Sequence, residues 1–422
     1  MDPVVFKIAT LAIFIACYAL VISRKIRIAY VALISALLLL VLLIPSGTMT
    51  TQQACDSIRW DVLGIYWGFL MLSIIFAKSG VPAHLAKHIL HRTKNEGMAL
   101  LSLCAITAFL SSFLENVGVV LIMAPIAIEA AKKTKSSLFH YIIPIAISAN
   151  MVTTASMVTD PPAMILASES GMNFMNFYWF QGRLGLGIIS IIAAIVGLAV
   201  LYYVNFRKMD KKIIIEEEKI KMDYAPSALF IGGVLALAFN SYLGVRPGLI
   251  GLAIGIISLV LGRKILREMI IEFDWNSFAF IFGIFIIIGA VQAVGILQDF
   301  SSALLKIGFS SPVLTLAIIT WISVAFSSFM DNVPYTVLMI PVCTSLATSM
   351  GVSAFPFLYG MIIGTGIGGN ITPVGATANV FACGMLEKRG HKIKLKEYLK
   401  ISVPVSIISV LVAYLLVQML WM

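Results

Sequence analysis

Two heptapeptides bring together the residue types best suited to chemistry: Ser111-Ser-Phe-Leu-Glu-Asn-Val117 and Ser327-Ser-Phe-Met-Asp-Asn-Val333. Each sets a carboxylate (Glu115, Asp331) and an amide (Asn116, Asn332) at the middle of a long apolar stretch. An ionisable side chain at that depth in hydrocarbon is expensive, which makes it a functional candidate by default. A carboxylate followed by an amide offers oxygens to a cation, or a seat for a proton, so both segments are candidate cation- or proton-binding elements. Plainer roles stand beside this. Ser112-x-x-Glu115 and Ser328-x-x-Asp331 fit a capping box, or a near version of one, opening the helix that follows. The two asparagines would equally serve to tie the segment to neighbouring backbone.

Two interrupted segments add polar groups. The first, Asn150-Met-Val-Thr-Thr-Ala-Ser156, is rich in short hydroxyl and amide side chains, and Asp160-Pro161-Pro162 follows it. The second runs from Gly364 to Pro373 with four glycines, Asn370 and Thr372, and Gly375 through Asn379 restart the helix. A broken helix leaves free N–H groups on one half, which favour anions, and free carbonyls on the other, which favour cations. Asp160 also suits a plain helix restart, since Asp caps free N–H groups and Pro is tolerated in the first turn.

The elements that position these residues follow from hydropathy. The chain of 422 residues is 60% hydrophobic and 12% charged, with a mean hydropathy of +1.00. A soluble domain carries about twice that charge, so the bilayer is the solvent this composition requires. Long apolar spans fall near 4–23, 27–45, 59–77, 183–205, 225–243, 246–262, 273–291 and 401–421. The first lacks an A-x-A-like cleavage site and reads as a retained helix. The stretches 139–168 and 355–387 read as crossings broken at midplane, and 97–133 and 312–350, each with a polar knot at its middle, as re-entrant hairpins.

Charge supports this map. With the N-terminus outside and the hairpins not crossing, the cytoplasmic segments Arg24–Arg27, Lys78–Lys94, Lys132–Lys135, Arg207–Lys221, Arg263–Arg267 and Lys388–Lys400 hold 25 of the 30 Lys and Arg residues. That is the bias of the positive-inside rule. The other five are Lys7, Arg59, Arg183, Arg246 and Lys306. The excess of positive charge is therefore topological, and no nucleic-acid partner is expected.

The chain also repeats itself. Trp60 and Gly68 match Trp275 and Gly283 at an offset of 215, and the two heptapeptides, Pro125 and Pro341, and Phe139 and Phe355 match at 216. The expected fold is an all-α polytopic membrane protein of two inverted-topology repeats. Each has about five transmembrane crossings, one of them broken, plus one re-entrant hairpin. Residues 1–205 form the first repeat, 206–224 a charged cytoplasmic linker, and 225–422 the second. Inverted duplications of this kind are characteristic of alternating-access transporters.

Other polar features read as structural. Five cysteines without CxxC spacing point to buried thiols rather than a disulfide framework or zinc site, with Cys383 near the second break keeping some interest. His84, His88 and His91 read as one face of a basic interfacial helix, with a metal site as the alternative. Glu129, near Lys132 and Lys133, reads as a snorkelling or paired residue. No metal or cofactor is expected, no GxxxxGK[ST] motif supports ATP use by this chain, and no nucleophile–base pair points to an enzyme.

The paired tips, the Asp160-Pro161-Pro162 restart and the run from Gly368-Gly-Asn370 through Val374-Gly-Ala-Thr-Ala-Asn-Val380 resemble the ion transporter superfamily. The branch most similar joins arsenite/antimonite permeases, sodium–proton antiporters, the melanosomal P-protein and the citrate-transporter-like domain. The resemblance covers roughly residues 20–421. It implies ion-binding hairpin tips, an elevator-type moving domain and a homodimer, with a soluble ATPase partner not excluded. By matching motif, Ser111, Ser112, Glu115 and Asn116 become one half of an ion site, and Ser327, Ser328, Asp331 and Asn332 the other. Thr154, Asn370, Thr372 and Asn379 would face the solute. With Asn150, Thr153, Asp160, Gly375 and Thr377 they make up the candidate substrate-binding set. The sequence departs from the family where Val152 and Thr153 replace a Gly-Gly pair, Thr159 a Gly, Ala163 an Asn, and Glu115 the usual Asp.

The expected function is secondary transport of a small inorganic solute coupled to Na+ or H+, as arsenite/antimonite export or sodium–proton exchange in a cell membrane. A carrier of anions such as citrate, dicarboxylate or sulfate, and a passive channel, are the alternatives. The topology has a direct check. A single cysteine placed in the linker 206–224 of a cysteine-free chain should react with a membrane-impermeant maleimide in inside-out vesicles and not in right-side-out ones.

Overall fold

The computed structural model describes residues 3–23, 25–93, 95–212, 222–297, 299 and 311–422. Arg24, Lys94, Lys306 and residues 213–221 of the expected linker lie outside them. The described chain is helical apart from its loops and one short β-hairpin, Trp179–Phe180 against Arg183–Leu184. The hairpin's turn residues Gln181 and Gly182 both have positive φ, 50° and 76°, the geometry whose twist suits a two-residue hairpin loop. The span expected from residue 183 therefore begins only at Leu186.

Six helices among the described residues are long and apolar enough to cross a bilayer: Val4–Val21, Trp60–Lys78, Leu186–Phe206, Trp275–Ala293, Asn332–Met350 and Leu395–Trp421. The pair Pro247–Leu261 and Arg263–Glu272, bent by 76°, makes a seventh if taken as one span. Ile28–Leu43, Glu96–Ser111, Ala225–Ala238, Pro312–Ser327 and Phe355–Gly368 are apolar but shorter. The expected span 225–243 divides at Phe239 into Ala225–Ala238 and Asn240–Leu243. Apolar side chains point outward where lipid would lie, among them Leu37 and Val41 on one helix and Ile256 and Val260 on another.

Helix boundaries repeat along the chain. Glu96–Ser111, Asn116–Thr134 and a helix starting at Phe139 recur 216 residues later as Pro312–Ser327, Asn332–Met350 and a helix starting at Phe355. Contacts exchange between the halves as well. Trp60–Lys78 packs on Pro247–Leu261, while its counterpart Trp275–Ala293 packs on Ile28–Leu43. Both interfaces are built on small residues, which let backbones approach closely in the absence of a hydrophobic drive between helices. A Cβ on Gly68 would collide with the Gly251 carbonyl, and one on Gly283 would lie 2.9 Å from the Ala32 carbonyl carbon. The counterparts themselves run antiparallel: Trp60 contacts Phe282 at 6.3 Å between ring centroids, and Tyr66 stacks on Phe278 at 6.4 Å.

Each apolar stretch expected as a hairpin is two helices joined by a four-residue turn, Ser112–Glu115 and Ser328–Asp331. The broken segments are Phe139–Asn150 with Pro161–Ser170, and Phe355–Gly368 with Thr377–Glu387. The described ends of the linker are pinned to helix ends: Gly97 N–H donates to the Met209 carbonyl, and Asp223 N–H to the Ser79 carbonyl, each at 2.9 Å.

The smaller expectations resolve locally. Four cysteines are buried, but Cys55 is exposed on the short polar helix Thr51–Ser57, which correct the uniform expectation of burial. His84 and His88 stack along Val81–Arg92. Among the described residues no three His, Cys, Asp or Glu side chains gather as a metal site. Glu129 pairs with Lys87 at 3.3 Å and Lys133 at 3.5 Å.

The glycine interface gives a test. Gly68→Ala must push two helices apart, and overpacking of this kind costs about 1–3 kcal/mol. A clear fall in the thermal unfolding midpoint of purified protein is expected. Gly232→Ala, where a Cβ would meet nothing within 4 Å, should leave the midpoint in place.

Candidate functional site

Backbone polar groups freed at a turn or break inside a bilayer must be satisfied by protein, and here the turns and breaks satisfy one another. Ser156 Oγ in the first break donates to the Ser112 carbonyl at 2.6 Å. Thr372 Oγ1, 216 residues later, donates to the equivalent Ser328 carbonyl. Ser328 Oγ reaches the Gly368 carbonyl at 3.3 Å. The breaks are themselves joined: Asn150 Nδ2 donates to Asn370 Oδ1 at 3.0 Å, Asn370 Nδ2 to the Ile147 carbonyl at 3.0 Å, and Asn379 Nδ2 to the Gly369 carbonyl at 3.1 Å. Tyr398 adds a bond to the Asn370 carbonyl at 3.2 Å. This buried net holds all four irregular elements in one place.

Between them lies a cavity lined by Glu115 and Asn116, Asp331 and Asn332, Asn150 and Asp160, and Gly375 to Ala378. Trp60–Lys78 contributes Tyr66, and the start of Trp275–Ala293 contributes Asp274 and Ser277. Four carboxylates thus face one space that has no Lys, Arg or His in its lining. Gly375 is required by close approach, because a Cβ there would sit 2.9 Å from both the Ser327 and Ser328 carbonyl oxygens.

The capping roles differ from those the sequence suggests. Glu115 itself caps the return helix, accepting from Val117 N–H at 3.0 Å and Gly118 N–H at 2.8 Å, and Asp331 accepts from Val333 N–H at 3.1 Å. Ser112 does not cap that helix: it still belongs to the end of the outgoing one, where its Oγ bonds back to the Ala108 carbonyl. Asp160 holds an N-cap position without a cap hydrogen bond from its side chain. The reason is local: Pro162 removes one of the two N–H groups such a cap would serve, and the other, Ala163 N–H, donates to the Asp160 carbonyl at 3.0 Å. Its carboxylate is left to the cavity.

The tips also differ from each other. Ser327 Oγ lies 2.6 Å from Asn332 Oδ1 and 2.5 Å from the Thr365 carbonyl. The equivalent Ser111 Oγ and Asn116 Oδ1 are both buried and have no partner. Buried polar atoms are normally paired, so the first tip presents two oxygens still open to an ion or water.

Glu115, Asn116, Asn150, Asp160, Asp331, Asn332, Gly375 and Thr377 of the expected set line the cavity. Ser111, Ser112, Ser327, Ser328, Thr372, Asn370 and Asn379 lie just behind it, in the tips and the net that supports them. Thr153 is buried with its Oγ1 beside Gly366. Thr154 turns away to bond Ser190 at 2.6 Å. Sequence reasoning missed Tyr66, Asp274, Ser277 and the supporting role of Ser156. Asp274 had a signal in the acid standing just before the apolar run that opens at Trp275.

Comparison with known proteins decides the family. A family model described as citrate transporter (CitMHS) matches residues 18–364. The chain belongs to the citrate transporter family. An uncharacterized transporter of Mycobacterium tuberculosis is 25% identical over 416 residues, covering 96% of this chain and 97% of its own. One of Synechocystis is 23% identical over 442 residues, with 97% of both chains covered. The human P protein is 25% identical over 495 residues, spanning 96% of this chain and 59% of its own. The fold is similar to that of the YdaH transporter of Alcanivorax borkumensis, whose structure is described as having an unusual topology, with a TM-score of 0.60, 12% identity and 86% and 84% of the two chains covered. This citrate-transporter-family protein is therefore a multi-pass membrane transporter and not an enzyme, as the tips and the glycine-rich break led one to expect.

In this transporter the tip-to-break bonds should matter equally in both halves. Ser156→Ala and Thr372→Val each leave a buried carbonyl unpaired, which costs about 1–3 kcal/mol. Both variants should lower the thermal midpoint, whereas Thr348→Val, exposed near a helix end, should not.

Proposed function

We propose that this protein is a secondary-active transporter coupled to Na+ or H+ that moves a small inorganic solute, by arsenite/antimonite export or sodium–proton exchange. The observation that carries the proposal is the cavity itself: Glu115, Asp160, Asp274 and Asp331 face it with no basic residue beside them, and the buried Asn116 Oδ1 is unpartnered. Carboxyl groups that face one cavity with no base in its lining offset their mutual repulsion by taking up protons or a cation. A site of this kind takes protons or cations as part of its normal state.

The halves are inverted repeats that alternate the site between the two faces by an elevator-type movement. The exchanged helix pairings and the antiparallel run of Trp60–Lys78 against Trp275–Ala293 support this. The transporter sits in the cell membrane as a homodimer, with both termini outside and the basic linker in the cytoplasm. Transport of an anion such as citrate is the second reading, favoured by the family's description; such an anion would enter a cavity walled by carboxylates.

Glu115→Gln and Asp331→Asn should each abolish ion-gradient-driven transport in proteoliposomes, with a drop of about tenfold or more. Unchanged transport would remove the tip carboxylates from coupling. Single-channel currents insensitive to an imposed pH or Na+ gradient would identify a passive channel instead.

A further inference from the structure

One acid of the cavity belongs to neither tip nor break. Asp274 is the N-cap of Trp275–Ala293, and its Oδ1 accepts from Ser277 N–H at 3.0 Å. It lines the central cavity and two others that meet it. One follows Trp60–Lys78 and the first return helix past Ser73 and Gly118 to Lys78, Lys87 and Glu129. The other passes Met330 and Ile28 to Arg27. Both lead to segments carrying the basic residues expected on the cytoplasmic face. Ser73 is buried with its Oγ unpartnered, and a Cβ on Gly118 would lie 3.5 Å from that oxygen and 3.6 Å from Glu115 Oε2. With Asn116 Oδ1, it is a second orphaned oxygen beside these acids.

The residue equivalent to Asp274 in the first half, 215 positions earlier, is Arg59, the N-cap of Trp60–Lys78. It lines none of these three cavities. Instead it makes a two-pronged ion pair with Glu169, Nε to Oε1 at 2.6 Å and Nη2 to Oε2 at 2.9 Å. The position equivalent to Glu169 is Met385, so Asp274 has no matching acid to repel it or base to hold it there. At this pair of equivalent positions the two halves carry opposite charges.

We propose that Asp274 and Arg59 are alternating gates of the ion site: Asp274 completes the site when it opens towards the basic face, as here, and Arg59 takes that place when it opens to the opposite face. The inference rests on the inverted-repeat, alternating-access reading above. Exchange of roles between the halves brings Arg59 to the first tip as Asp274 now stands at the second. The empty site, ringed by Glu115, Asp160 and Asp331, is repelled by Asp274 and attracted by Arg59. A cation or proton bound among those acids lowers their net negative charge and so weakens both the repulsion by Asp274 and the attraction by Arg59. A ligand shifts a conformational equilibrium by its difference in affinity for the two states, so loading moves the site towards the basic face and unloading returns it. The coupling cation is thus carried from the face opposite the basic linker to the basic one.

Paired cysteines in a cysteine-free, full-length chain test this in membranes. The pair at Ser277 and Met330, which line one cavity with Asp274, reports the present state, and the equivalent pair at Val62 and Leu114 the exchanged one, with Asp274 and Arg59 left in place; Ser277 with Phe329 and Val62 with Phe113 serve as second pairs should either of the first fail to yield folded protein. Both states should cross-link with a short bifunctional reagent. Added Na+, or acidification, should shift the ratio towards the Ser277 pairs by about threefold or more. Labelling of Thr377→Cys from each face reports alternating access independently. If Thr377→Cys is reached from both faces yet the Val62 pairs never cross-link, the gate is wrong and alternating access stands. If it is reached from the basic face alone, alternating access fails and takes the gate with it. Cross-linking of both pairs with no response to Na+ or pH would overturn the charge-driven gate.

Discussion

The structure depends on one constraint: backbone interrupted inside an apolar medium must find its hydrogen-bond partners within the protein. Two turns and two breaks would each be untenable alone. Placed together they cancel one another's unpaired groups, through Ser156 on the Ser112 carbonyl, Thr372 on the Ser328 carbonyl, and the Asn150–Asn370–Asn379 cluster between the breaks. The polar cavity follows from this, because the same meeting that satisfies the backbone also gathers the side chains flanking each interruption. Helices on either side need only be apolar and closely packed, and the glycine contacts at Gly64, Gly68 and Gly251 supply that packing.

Charge at the meeting point is the price of function. Each tip carboxylate secures its own helix start, so it is partly stabilised by N–H groups whatever occupies the cavity. Asp160 has no such support, since the prolines behind it remove donors. Capping and ion binding are therefore not alternatives at Glu115 and Asp331. Each carboxylate bonds the start of its own helix and also lines the cavity.

Much of this was legible in the chain. The repeat offset, the two tips and the two breaks are local patterns, and the helix boundaries fall where those patterns put them: Ser111 and Ser327 end equivalent helices, and Asn116 and Asn332 begin the next. The family resemblance carried by those motifs matched the family found. Contributions from distant helices were not legible. Tyr66 and Ser277 look like ordinary residues of apolar spans, and only the crossing of Trp60–Lys78 with Trp275–Ala293 turns them to the cavity. Thr154 shows the reverse, a residue matched by motif that the packing of Leu186–Leu201 draws away.

The two halves keep the same skeleton and have diverged in what they bring to it. The second break retains Gly368, Gly369 and Gly375 and so brings backbone close, with Asn379 reaching the Gly369 carbonyl. The first break has Val152, Thr153 and Thr159 at the equivalent positions, and Ala163 in place of Asn379. Thr159 Oγ1 spends its donor on the Thr153 and Ser156 carbonyls, closing the loop upon itself. What the first half supplies instead is Asp160, opposite Ala376 in the second. Each half brings two carboxyl groups to the cavity, but at the breaks a glycine-rich backbone on one side stands opposite the Asp160 carboxyl on the other. The walls of the cavity are consequently unlike, whereas two identical halves would build a symmetric cavity with no preferred direction.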